Sequence, residues 1–288
     1  MDFYAILGVA FGLIFMFYVL SQIASSITSW IGGILQLSAQ ELRAGISELL
    51  GDSGKVDELM GHPWMEVLRP KAANWFNKGS KKREVDWIPP ETFAKILSDV
   101  LAPKEPGEDL LSGIIKTVAM LPPGKAKDQL GTLMTMGVEK IEDFQNNVVV
   151  WFNDAMRGVS QVYTQRVRRI VVLIAFVLVA VGNMDSIAIG KALWQAPATR
   201  ELVVSIASAQ VDAIEQDEEA APDFGDIPLY VEEFEAAGVP MLWRAEHLPE
   251  DAGGWALKIL GLSLTWAAAS MGSSFWYDLL KRIRGLGS

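Results

Sequence analysis

From Phe3 to Ile23 the chain carries no charged residue, and two further apolar runs follow, Ile170–Ile189 and Trp255–Trp276, the last with only Lys258 near its start. Each run is about 20 residues long, which at roughly 1.5 Å per helical residue matches a hydrocarbon core of about 30 Å. Half of the 288 residues are apolar, a level that suits a membrane class better than a soluble domain of this length. The first run lacks a basic stretch ahead of it, since only Asp2 precedes it, and it exceeds the roughly 7–15 apolar residues of a secretory signal. It reads as a permanent span.

The expected fold is therefore all-α and integral to a membrane. It has three transmembrane helices, a helical cytoplasmic domain and a smaller acidic extracytoplasmic helical loop. The boundaries are 1–36 for the first span and its extension, 37–169 for the cytoplasmic domain and 170–190 for the second span. The acidic loop is 191–253, the third span 254–277 and the cytoplasmic tail 278–288.

Charge sets the expected threading. Residues 37–169 carry 18 basic and 18 acidic side chains, whereas 191–252 carry 3 basic and 14 acidic ones. Arg166, Arg168 and Arg169 crowd the start of the second run, and Lys281, Arg282 and Arg284 follow the third. Basic residues near span ends mark the cytoplasmic side. The N-terminus and the acidic loop are then expected outside and the C-terminus inside.

Between the runs, proline punctuates residues 63–123 and separates short helical patterns. "PPETFAKILSDVL" places Phe93, Ile96, Leu97 and Val100 at helical spacing behind a proline start. The first span is expected to continue to Leu50, with Gly51 ending it. No proline occurs from Gly124 to Ala196, so one long helix is expected to enter the membrane as the second span. Its residues Val148, Phe152, Ala155, Val159, Val162 and Tyr163 form an apolar face, and Asp154 and Arg157 are spaced for a surface ion pair. Small residues at a spacing of about four mark two helix-packing faces, Ser21, Ser25 and Ser29 in the first run and Gly261, Thr265, Ala269 and Gly272 in the third.

Chemistry is constrained mostly by exclusion. With no cysteine and only His62 and His247, thiolate metal sites, cysteine nucleophiles and histidine clusters are out of reach. "GDSG" at Gly51–Gly54 has no accompanying β-barrel pattern or His–Asp pair, so it reads as a turn. No phosphate-cradling loop or dinucleotide fingerprint is present. No catalytic residue, metal site or cofactor is assigned. The six acidic residues from Asp212 to Asp223 read as a solvated surface, with a weak divalent-cation site as the sharper alternative.

Asn183 and Asp185 pose the one pointed question. Asp185 lies about 15 residues past the basic edge, roughly 22 Å across a bilayer, where an ionised carboxylate is costly unless paired or hydrated. One reading puts the pair on an ion or proton path. The other is structural: Gly182-Asn183 closes the second span, and Asp185 or Ser186 caps a short helix.

Several stretches resemble a widespread family of uncharacterised bacterial inner-membrane proteins. They are "WFNDAMRGVS" with Trp151, Phe152, Asp154 and Met156, the Asn183-x-Asp185 step before Leu193-Trp194, "IPPETF" from Ile88, and "GSSFWYDLL" with Phe275, Trp276 and Asp278. Ser274, Arg157-Gly158 and Val162 depart from that pattern. The resemblance implies a bacterial inner-membrane protein of about three spans and supplies no mechanism. The expected function is a non-enzymatic membrane scaffold or adaptor whose partners are the lipid bilayer and other membrane proteins or itself, with no nucleic acid. The alternative is an oligomeric ion-conducting or ion-coupled protein using Asp185 and Asn183.

Overall fold

Proline and short polar caps set most helix starts. The computed structural model describes residues 3–35, 37–51, 53–69, 84–102, 109–217, 220–245 and 248–287, and among these every regular element is helical. The order is α1 (Phe3–Leu35), α2 (Leu37–Leu50), α3 (Ser53–Met60), α4 (Pro63–Leu68), α5 (Pro90–Leu101), α6 (Leu110–Met120) and α7 (Lys125–Thr135). Then come α8 (Ile141–Gly182), α9 (Ser186–Gln195), α10 (Pro197–Gln216), α11 (Ile227–Ala236), α12 (Ala252–Ala269) and α13 (Ser273–Gly287). Much of the "NKGSKKREVD" stretch, Pro70, Pro103, Pro106 and His247 lie outside the described residues.

The chain divides into two units, Gly32–Arg166 and Met1–Ile31 with Val167–Ser288. In the first, α2 ends at Gly51, which takes a left-handed φ of 61° and donates its N–H to Ser47 O at 2.8 Å. α5 begins with proline at its first position, where the missing N–H costs nothing. α6 is capped by Asp109, whose carboxylate accepts from the Ser112 N–H at 3.0 Å and from the Ser112 hydroxyl; these bonds hold it below the usual carboxylate range. The core joins Ile46, Leu59, Met65, Ile88, Phe93, Leu97, Phe144 and Phe152. Phe93 and Phe152 stack with centroids 3.9 Å apart. Gly45 lets α2 approach α8, because a Cβ there would collide with Val159.

The second unit is built around α1, with Phe15, Ser21 and Ala24 fully buried. α10 packs Val203, Ala207, Val211 and Ile214 into the same core as Phe11, Phe15 and Val19 of α1, and α13 adds Trp276 and Leu280.

Two expectations change here. The third apolar run is not one helix: α12 stops at Ala269, Gly272 takes a φ of 99°, and α13 restarts at Ser273. Among the described residues, only α1 is alone long and apolar enough to cross a membrane. α8 and α9 make a second span only if that pair, bent by 53°, is counted as one. The other change concerns charge. Arg284 pairs with Asp212 and with Glu215 (3.7 Å), and Lys281 reaches Glu215 at 3.7 Å. The acidic segment 191–253 and the tail 278–288, assigned by charge to opposite faces, therefore touch in this structure. A hydrocarbon core of about 30 Å does not fit between ion-pair partners.

Candidate functional site

The candidate site lies where α8 gives way to α9. After Gly182 the backbone turns through Asn183, whose φ of 52° is left-handed. A helix end leaves carbonyls without partners, and the segment after α11 supplies them. The Leu242 N–H donates to Gly182 O at 2.8 Å, and the Trp243 indole N–H donates to Ala180 O at 2.6 Å. Asn183 Nδ2 returns a bond to Leu242 O at 2.8 Å. Asn183 Oδ1 is buried without a hydrogen-bond partner.

Asp185 begins the next helix. Its Oδ1 accepts from the Ile187 N–H (2.9 Å) and the Ala188 N–H (3.2 Å), the bonding pattern of an N-cap. The residue is only 6% exposed. α12 closes the other side. Gly261 lies against the Asp185 carboxylate, and Thr265 Oγ1 accepts from the Ser186 N–H at 3.0 Å. Ser186 Oγ donates to Gly261 O at 3.0 Å, and Thr265 Oγ1 donates to the same carbonyl at 2.9 Å. The buried Lys258 places its ammonium 5.1 Å from the Trp243 ring centroid.

The break is thus a joint of α8, α9, α12 and the 241–243 segment. Asn183 Nδ2 and Asp185 Oδ1, which looked exposed to a bilayer, are spent on backbone partners. Gly261 and Thr265, singled out from sequence as a packing face, meet α9 here. Trp243, Leu242 and Lys258 were not singled out; the first two come from a segment with no periodic signal, and Lys258 read only as a charge at a span edge.

The remaining candidates scatter. Ser21 Oγ lies 2.7 Å from Phe17 O and 2.9 Å from Ala269 O, sharing one proton between them, while Ser25 is half-buried and Ser29 exposed. Ala269 is buried, and Gly272 forms the turn before α13. Trp276 is buried with its indole N–H on Ala268 O at 2.7 Å, while Phe275 and Asp278 are exposed. In the other unit Trp151 is half-buried, Phe152 lies in the core, and Asp154 pairs with Arg157 at 3.3 Å on the surface. Phe152, Met156 and Arg157 line a groove of about 620 Å³ with Trp87 and Pro90, so the "WFNDAMRGVS" and "IPPETF" stretches meet there. His62 bonds Asp99 through Nε2 at 2.9 Å and accepts from the Trp64 N–H through Nδ1. Among the described residues no three acidic or histidine side chains are grouped to hold a metal ion. In comparisons with known proteins, no family model, no curated protein and no solved structure matches this chain.

Proposed function

We propose that the protein is a non-enzymatic membrane scaffold or adaptor of a bacterial inner membrane, embedded through the unit built on α1 and offering its Gly32–Arg166 unit to partners. The observation that carries this reading is a continuous exposed apolar surface on α8 and α12. Leu173 (62% exposed), Val181 (66%) and Ile259 (61%) belong to it, with Phe176, Val177, Leu257, Leu260 and Leu264. The two helices are joined across it: the Trp266 indole N–H donates to Val172 O at 2.9 Å, and its ring meets Phe176 edge-on at 5.6 Å. Single exposed apolar side chains are ordinary, but a contiguous patch marks a membrane or protein contact. Each large apolar side chain taken from water contributes about 1.5–3 kcal/mol, so such a surface favours insertion strongly. On α1, Phe3, Tyr4 and Ile6 are exposed as well.

The test has two readouts. In alkaline carbonate extraction the full chain stays with the membrane pellet, and release into the supernatant would end the membrane reading. In native mass spectrometry after mild extraction, it travels at fixed stoichiometry with itself or with another membrane protein. Monomer alone, both in detergent and in native membrane, would end the scaffold reading. The ion-coupled alternative has no specific observation in its favour.

A further inference from the structure

α1, α8, α11 and the segment after α11 line a partly open cavity of about 210 Å³. Among the described residues of its wall no side chain is charged, and Tyr230 carries the one hydroxyl. Met16, Met184 and Met241 contribute three unbranched thioethers, side chains that adapt to an apolar guest. The volume exceeds the roughly 150 Å³ of an engineered apolar cavity that stays dry and takes up benzene. Water and polar ligands would find almost no hydrogen-bond partners here. The most exposed members of the wall are Val177 and Val181 of α8, which belong to the apolar surface described above.

We propose that this cavity takes one hydrocarbon chain of a bilayer lipid, entering past Val177 and Val181. The inference rests on the membrane reading, because acyl chains are the apolar molecules that a lipid-facing α8 meets. The headgroup stays outside, since the wall offers it no charge and little hydrogen bonding.

The experiment uses the full chain in nanodiscs of phosphatidylethanolamine and phosphatidylglycerol, doped with a phosphatidylcholine that carries a diazirine on one acyl chain. After irradiation, adducts are mapped by mass spectrometry. Adducts are expected on Met16 or Met241, each 1% exposed and so closed to bulk lipid, and also on Ile259 of the outer surface. Leu178→Trp, which fills the cavity, should abolish the inner adducts and leave those on Ile259. A second readout needs no variant: in detergent, excess oleate should displace a diazirine-bearing palmitate from Met16 and Met241 of the unsubstituted chain. Adducts on Ile259 without any on Met16 or Met241 overturn the cavity assignment and leave the membrane reading standing. Absence of adducts from Ile259 as well overturns both. Inner adducts that survive the filled cavity or excess oleate also overturn the assignment.

Discussion

Gly261 of α12 and the Asp185 carboxylate at the start of α9 fill the same narrow space, so that a Cβ on Gly261 would overlap Asp185 Oδ1 and stand 2.7 Å from Cγ. A small residue and a capping residue 76 positions apart thus depend on each other. Gly261→Ala should destabilise the protein by about 1–3 kcal/mol, the usual cost of overpacking. In an Asp185→Ala background the same change should cost less, because the colliding oxygens are gone. Thermal melting of the four proteins in one detergent measures the coupling, and strictly additive losses would refute the contact.

The cap and the ion path make different predictions for Asp185 itself. Asparagine caps a helix as well as aspartate does, whereas alanine loses about 0.5–2 kcal/mol. Asp185→Asn should therefore melt close to the parent and Asp185→Ala below it. If liposomes containing the protein pass ions, and Asp185→Asn abolishes that flux without changing the melt, the carboxylate has a role beyond the cap.

Much of this joint was legible in the chain, and the rest was hidden for a physical reason. Asn183, Asp185, Gly261 and Thr265 stood out because polar or small residues inside apolar runs are unusual. Leu242 and Trp243, which bond Asn183 and Ala180, did not, since a tie across 59 or 63 residues leaves no local pattern. Proline at the starts of α4, α5, α10 and α11 acts through φ within one turn, and α5 could be read directly. The break at Gly272 was masked by the apolar run that continues across it. The contact between the acidic segment and the tail was not legible, because counting basic residues at span edges ignores their partners, and Lys281 and Arg284 have theirs on α10.

That ion-paired contact can be tested directly. The chain has no cysteine, so Asp212→Cys with Arg284→Cys introduces the only two thiols. A short bismaleimide should join them within one chain in intact membranes, seen as a mobility shift after denaturation. The surface pairs themselves should matter little to stability, roughly 0–1 kcal/mol each at this exposure. No cross-link in any folded preparation would return the two segments to opposite faces.

The stacked pair in the other unit carries more energy. Phe152→Ala removes a fully buried ring from against Phe93 and should cost roughly 3–5 kcal/mol, lowering the melting temperature of the Gly32–Arg166 unit. Phe152→Leu should recover a good part of that loss. Equal melting of the alanine variant and the parent would mean that this core is not packed as described.

Tyr230 sets an alkaline limit. Burial raises its hydroxyl above the ordinary value of 10.0, and the nearby Asp226 and Glu233 carboxylates add to the shift. The folded chain then keeps a proton that the unfolded chain gives up. Stability is full below pH 10.0 and declines as the pH rises from there towards the raised folded value. Tyr230→Phe should lessen that decline in denaturant titrations between neutral and strongly alkaline buffer. An unchanged alkaline profile would contradict the burial.

Leu242 holds a left-handed φ of 59°, as Asn183 does across from it, and for a leucine such a backbone stores of order 1–3 kcal/mol. Their bond reaches back over 59 residues. During synthesis the end of α8 must therefore wait until the chain up to Leu242 has emerged, with its last carbonyls served by water or a chaperone in the meantime. The joint is completed only once Leu242 is available to it, however early α8 itself becomes helical.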